Sequence, residues 1–241
     1  MRSGIDRTTS AALVMLCAVA ILAAACTGLY AIGADGWQDK FDVPAKNFSS
    51  TGKNEYFVLQ PGFQATFEGK EDGKTARLVI TVLDETRTID GVETRVVEER
   101  ESLGDEVVEV SRNFFAIDSS TSDVYYFGED VDEYKHGQVS GHGGSWQAGK
   151  NGAKFGLFMP AHPKVGQKFY QELAPRIAMD RTEIVSVSDS VMTPAGKFSN
   201  CMKTEETTPL EPDVKEYKLY GPGPGLLVDG NLKLVKYGQT K

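Results

Sequence analysis

The sequence predicts an all-β fold, a mostly antiparallel β-sandwich or an open, curved barrel, and three observations carry that reading. Short runs rich in β-branched and aromatic residues recur through the chain: Leu78 to Val82, Thr94 to Glu98, Val107 to Val110, Val124 to Phe127, Ile184 to Val187 and Leu232 to Val235. Turn pairs separate them at hairpin-like spacings, namely Asp72-Gly73, Asp90-Gly91, His136-Gly137, Ala195-Gly196 and Asp229-Gly230, where Asp-Gly in particular supplies the positive φ of tight turns. Beyond the N-terminal leader no segment of about ten residues shows a sustained 3.6-residue apolar period, so strands joined by short turns are left as the building material.

The leader comes first in the chain. Arg2 and Arg7 precede an apolar run from Ala11 to Leu22, followed by Ala23-Ala24-Ala25-Cys26. About 12 to 15 apolar residues suffice for a signal sequence and fall short of a bilayer span. Residues 1–25 are therefore expected to be a signal peptide. Ala-Ala-Ala-Cys also resembles a bacterial lipoprotein cleavage box, although Leu22 stands one place further from the cysteine than that box usually has it. Lipidation at Cys26 is the expectation; plain secretion after Ala25 and an uncleaved anchor are the alternatives.

Residues 26–54 are rich in Gly, Ala, Asp, Lys and Ser with isolated aromatics, Trp37, Phe41 and Phe48, and no period. This composition reads as a flexible tether with an r.m.s. span of roughly 30 Å. Residues 55–241 form the β domain. Within it a faint repeat emerges: Pro61-Gly62-Phe63 answers to Val165-Gly166-Gln167, and Ile89-Asp90-Gly91 to Pro194-Ala195-Gly196, at offsets of 104 (165 less 61) and 105 (195 less 90). Two similar β lobes, 55–143 and 164–241, would then be joined by a Gly-rich crossover at 144–163, read as a long loop pinned to the domain by Trp146, Phe155, Phe158 and Met159.

Charge and cysteine usage narrow the function classes. The formal net charge is -8; removing residues 1–25 takes away Arg2, Arg7 and Asp6, a net of +1, so the mature chain carries -9. Such acidity argues against nucleic acid and against adhesion to anionic lipid surfaces. Cys17 lies in the leader and Cys26 is the candidate lipid site, so Cys201 is expected as a lone, buried, unreactive thiol without a disulfide.

Several stretches, Tyr56-Phe57-Val58-Leu59-Gln60-Pro61-Gly62, Tyr126-Phe127-Gly128-Glu129-Asp130-Val131-Asp132-Glu133-Tyr134, Gly144-Ser145-Trp146, Met159-Pro160-Ala161 and Tyr220-Gly221-Pro222-Gly223-Pro224-Gly225-Leu226, resemble an uncharacterised family of bacterial secreted proteins and lipoproteins. The resemblance implies an envelope β protein and transfers no catalytic residue.

Candidate chemistry is sparse. Glu129, Asp130, Asp132 and Glu133 form the densest acidic run, and hard oxygen ligands on alternate residues suggest calcium, yet the EF-hand pattern fails at its glycine and at its terminal bidentate carboxylate. His136, His142 and His162 lack metal-ligand spacing and read as surface or loop histidines. Gly143-Gly144-Ser145-Trp146-Gln147 has Gln147 where a nucleophile elbow needs glycine, and Gly221-Pro222-Gly223-Pro224-Gly225 loses to proline the donors of a phosphate cradle. No catalysis and no cofactor are expected. A curved sheet lined by Phe63, Phe67, Tyr125, Phe127, Phe169 and Tyr217 would instead hold a small apolar or amphipathic ligand, or the same aromatics fill the core and the protein meets another envelope protein. The expected setting is extracytoplasmic: the bacterial cell envelope, with the membrane reached through an N-terminal lipid.

Overall fold

A computed structural model of the chain describes residues 36–240; the leader at 1–25, Cys26 and the first part of the 26–54 segment lie outside the described residues. Apart from a single 3-10 turn at Ala45–Asn47, the regular structure is β. The N-terminal portion holds three short strands, β1 (Phe48–Ser49), β2 (Gly52–Asn54) and β3 (Phe57–Leu59). Long meandering strands follow: β4 (Phe63–Glu71), β5 (Lys74–Ile89), β6 (Val92–Leu103), β7 (Glu106–Asp118) and β8 (Val124–Lys135). A middle stretch contributes β9 (Gln138–Gly141), β10 (Trp146–Gln147), β11 (Lys154–Met159), β12 (Lys168–Tyr170) and β13 (Glu172–Leu173). A second meander completes the chain with β14 (Arg181–Thr193), β15 (Gly196–Thr208), β16 (Glu211–Gly221), β17 (Gly225–Asp229) and β18 (Leu232–Gln239).

The turn chemistry explains the hairpins. Asp72-Gly73, Asp90-Gly91 and His136-Gly137 have positive φ at both positions (48° and 77°, 47° and 77°, 52° and 75°), as two-residue turns matching the twist of their strands require. Each links antiparallel neighbours in register, Glu71 opposite Lys74 and Ile89 opposite Val92, for example.

The strands form one antiparallel sheet in the order β12-β14-β15-β16-β17-β18-β4-β5-β6-β7-β8-β11-β13, with β2 and β3 as a separate hairpin. Its two ends nearly meet, because β12 and β13 are consecutive in the chain. Phe169 pairs with Thr182 of β14, while Leu173 pairs with Lys154 of β11, so residues 168–173 staple one edge of the sheet to the other. The result is a curved, barrel-like sheet and not two facing sheets. Closure satisfies edge strands that would otherwise template pairing with another chain.

The two halves are continuous in one sheet, since β18 pairs with β4 and carries one meander directly into the other. Their opening turns nonetheless share a geometry. Gly62 has φ 83° and donates its N–H to Val82 O at 2.8 Å; Gly166 has φ 81° and donates to Ile184 O at 2.8 Å. The 144–163 crossover, expected as a long loop, supplies two strands that both pair with β8.

The reading of 26–54 as a flexible tether does not hold for the described part, 36–54. Gln38 bridges Phe169, β1 pairs with β7, and Asn54 Nδ2 donates to Ser122 O at 2.9 Å. Phe48 packs edge-on against Tyr125, Phe127 and Phe155 at ring separations of 5.5, 5.1 and 5.6 Å. Isolated aromatics in a Gly/Ser-rich segment therefore act as anchors, each burying a large apolar area against a face the sheet leaves uncovered.

Candidate functional site

The interior of the curved sheet changes character along its length. Alternation places Val82, Ile80 and Leu78 of β5 opposite Val97, Glu99 and Glu101 of β6; these lie opposite Asn113, Ser111 and Glu109 of β7, which in turn face Glu129, Val131 and Glu133 of β8. One inward face thus passes from aliphatic to carboxylic within two residues. From the other meander come Thr204 and Glu206 of β15, opposite Lys218 and Glu216 of β16, with Asp229 of β17 beside Lys218.

The β5, β6, β16 and β17 parts of these surfaces meet in a cavity of about 80 Å³. Its apolar wall includes Phe57, Phe63, Ile80, Val97, Phe158 and Leu226, and its polar end is Glu99, Lys218, Tyr220 and Asp229. The β2 and β3 hairpin closes the apolar end: Phe57 meets Phe115 at 4.9 Å and Phe158 at 5.3 Å, and Gly223 N–H donates to Glu55 O at 2.9 Å. Lys218 Nζ lies 3.1 Å from Glu206 Oε2 and 3.5 Å from Asp229 Oδ2. Burial disfavours its ammonium, but Asp229 and Glu206 outweigh that and hold it well above the usual lysine range.

The carboxyls crowd one another in a protein-walled space. Burial pushes Glu99 up to about 7 against the pull of Lys218, with Asp229 adding to the rise. Burial, then Glu109 and Glu99, push Glu101 up to about 8. Burial and the charges of Glu99 and Glu133 push Glu109 up to about 7. Asp180 rises to about 6, through burial and Glu206, while Lys218 and a hydrogen bond from Thr208 restrain it. Burial first, then Asp180 and Glu129, hold Glu172 well above the usual carboxylate range.

Glu129 is the extreme case. It is 0% exposed, and neither carboxyl oxygen has a hydrogen-bond partner among the described residues. Burial, reinforced by Glu109 and Glu99, keeps it protonated well above the ordinary range. Tyr126 Oη stands against this carboxyl but donates its proton to Asn113 Oδ1, so it offers Glu129 no donor. A bulge brings the two side chains together. Register shifts between Asn113 and Phe115, leaving Phe127 and Gly128 opposite Phe114, so Tyr126 and Glu129, three apart, face the same side. Gly128 permits this with φ 128°, and a Cβ there would strike the Trp146 carbonyl.

The sequence-predicted calcium set is split by the strand. Glu129 and Glu133 face the interior, whereas Asp130 pairs with Arg87 and accepts from Gln147 Nε2 at 3.1 Å, and Asp132 Oδ1 lies 3.0 Å from His142 Nδ1. Among the described residues no three His, Cys, Asp or Glu side chains converge as a metal set. The opposite projection of neighbouring residues in a strand is the reason.

The six aromatics do not line one pocket either. Phe63 and Phe67 reach the cavity. Tyr125 and Phe127 face the other side of β8, under Phe48 and Phe155, and Phe169 is 1% exposed in the core. Tyr217 is exposed, donating to Glu205 Oε2 at 2.7 Å beneath Lys203. Cys201 is a free, buried thiol packed with Leu227 and Leu234, and burial pushes it up. Ser145 Oγ accepts the Val131 N–H at 2.9 Å.

Sequence reasoning missed Glu99, Glu101, Glu109, Glu172, Asp180, Glu206, Lys218 and Asp229. A signal was present in β6, where Glu98-Glu99-Arg100-Glu101 puts charge on both faces of a strand that begins with buried valines. Comparison with family models, curated proteins and solved structures finds no match, so the geometry of this interior carries the functional argument.

Proposed function

We propose that this chain is an exported, lipid-anchored protein of the bacterial cell envelope with a non-catalytic role, carrying a small amphipathic ligand inside its curved sheet. The observation that carries the reading is the mixed cavity, with Phe57, Phe63, Ile80, Val97, Phe158 and Leu226 at one end and Glu99, Lys218, Tyr220 and Asp229 at the other. Ligand pockets combine such an apolar wall with a few convergent polar groups, whereas a core that serves only stability has no use for grouped carboxyls. The leader and Ala23-Ala24-Ala25-Cys26 support export and anchoring.

Native mass spectrometry of the purified protein tests the carrier reading. The expected result is a bound small molecule lost in Ile80→Trp, which fills the apolar wall. A ligand-free wild type that also takes up no amphiphile on incubation overturns it. Cys26→Ala is expected to move the protein from the membrane to the soluble fraction; a wild type that fractionates as soluble with an unmodified Cys26 overturns the anchor.

A further inference from the structure

We infer that the ligand of this interior bears a cationic head, a primary amine or quaternary ammonium, seated among the carboxyls while its hydrocarbon part lies against the apolar wall. The inference rests on the carrier reading and names its ligand class.

Two independent observations point to positive charge. The first is composition: the polar end of the cavity joins Glu99 and Asp229 to a shell containing Glu101, Glu109, Glu206 and Glu172, with Lys218 as the opposing charge. Lys218 is paired with Glu206 and Asp229 and also draws on Glu99 and Glu101, so one lysine is shared among several carboxyls. The second is Glu129, wholly buried beyond the cavity lining on the inward face of β8, with no hydrogen-bond partner for either oxygen among the described residues. Apart from Tyr126 Oη beside it, this carboxyl lacks the hydrogen bonds it would make in water, and a donor entering the interior would supply them. Thr182 Oγ1, across the interior near Glu206, is a second buried oxygen without a partner.

An anion is disfavoured by Asp229 and Glu206 and, above about pH 7, by the ionised Glu99 and Glu109, which would repel it in a medium less screening than water. A bare metal ion does not suit the interior, because the carboxyls are spread along several strands and no three converge. An ammonium fits: it donates to more than one oxygen, tolerates spread partners, and can carry the apolar body that Phe63, Ile80 and Phe158 would cover. Head and tail then occupy the two ends that the alternation of β5 and β6 builds side by side.

Titration calorimetry of the intact protein at pH 8 with hexylammonium, hexanoate and hexanol, one chain length with three heads, tests this. Hexylammonium is expected to bind about ten-fold tighter than either of the others. Glu99→Gln combined with Glu129→Gln, which keeps side-chain shape, is expected to erase the preference without loss of the folded circular dichroism spectrum. Lys218→Gln, which removes the competing cation, is expected to strengthen hexylammonium binding; weakening would overturn the inference, as would a preference for hexanoate. Equal binding of all three probes overturns the cationic head while the carrier reading stands. Spermidine, which has no apolar tail, separates the remaining case: if it binds as tightly as hexylammonium, the apolar wall plays no part and the carrier reading fails although the charge preference holds. Binding of none of the probes overturns both.

Discussion

Glu99 stands between Ile80 on β5 and Ser111 on β7, at a position where an alternating strand with a packed core would carry an aliphatic residue. Burial lifts its pKa from the ordinary carboxylate value of 4.5 to about 7, so the folded chain holds this proton more tightly than the unfolded one. Stability from that proton is full below about 4.5 and is lost as pH rises through about 7. Glu99→Gln, a neutral mimic of the protonated acid, is therefore expected to raise unfolding free energy by roughly 1–2 kcal/mol at pH 8.5, discounted because Glu99 is only half-buried, and by almost nothing at pH 4. Urea denaturation at the two pH values checks it; equal effects at both would show that charge is not what Glu99 contributes. Glu129 differs in kind, being wholly enclosed, and its place depends on Gly128, without which Tyr126 and Glu129 could not share a face.

Among the elements, the N-terminal segment illustrates how composition misleads. Gly, Ser and Lys around Phe41 and Phe48 suggested a tether, but strand β1 pairs with β7, and Phe48 inserts between Tyr125, Phe127 and Phe155. Phe48→Ala is expected to destabilise the domain by roughly 2–4 kcal/mol, a shift in thermal midpoint that scanning calorimetry resolves. No shift would restore the tether reading. Strand β8 shows the converse, because a dense acidic run looks like one site in sequence and serves two faces in space. With Asp130 occupied by Arg87 and Asp132 by His142, calcium is expected to move the thermal midpoint no more than matched magnesium. A calcium-specific rise abolished by Asp130→Asn with Asp132→Asn would contradict the split.

At the scale of the whole molecule, a sheet closed by residues 168–173 encloses charge that an open sheet would leave in water. Glu101, Glu99, Glu109 and Asp180, raised to about 8, 7, 7 and 6, add in the same direction. The folded protein binds more protons than the unfolded chain between roughly pH 4 and 8, so stability falls with rising pH across that window. The urea midpoint is expected to be lower at pH 8.5 than at pH 5.5. A midpoint that climbs over this range would mean that the interior carboxyls are fully solvated.

By itself the sequence determined the all-β architecture, because β-branched runs and Asp-Gly turns act locally: each strand and each tight hairpin follows from residues within a few positions of it. It also showed Cys201 as a lone thiol suited to the core. Tertiary structure alone decided that the sheet curls nearly closed instead of forming a sandwich, since besides the staple at 168–173 it needs β18 to pair with β4, Leu234 opposite Phe67, 167 residues apart (234 less 67). It alone decided that Glu99, Glu129, Glu206 and Asp229 share one interior, for they sit on four separate strands, and the acids of β6 and β8 are divided between the two faces of each strand. A strand reveals its own alternation in sequence, but which of its two faces is enclosed, and what faces it across the interior, is settled only when the sheet curls.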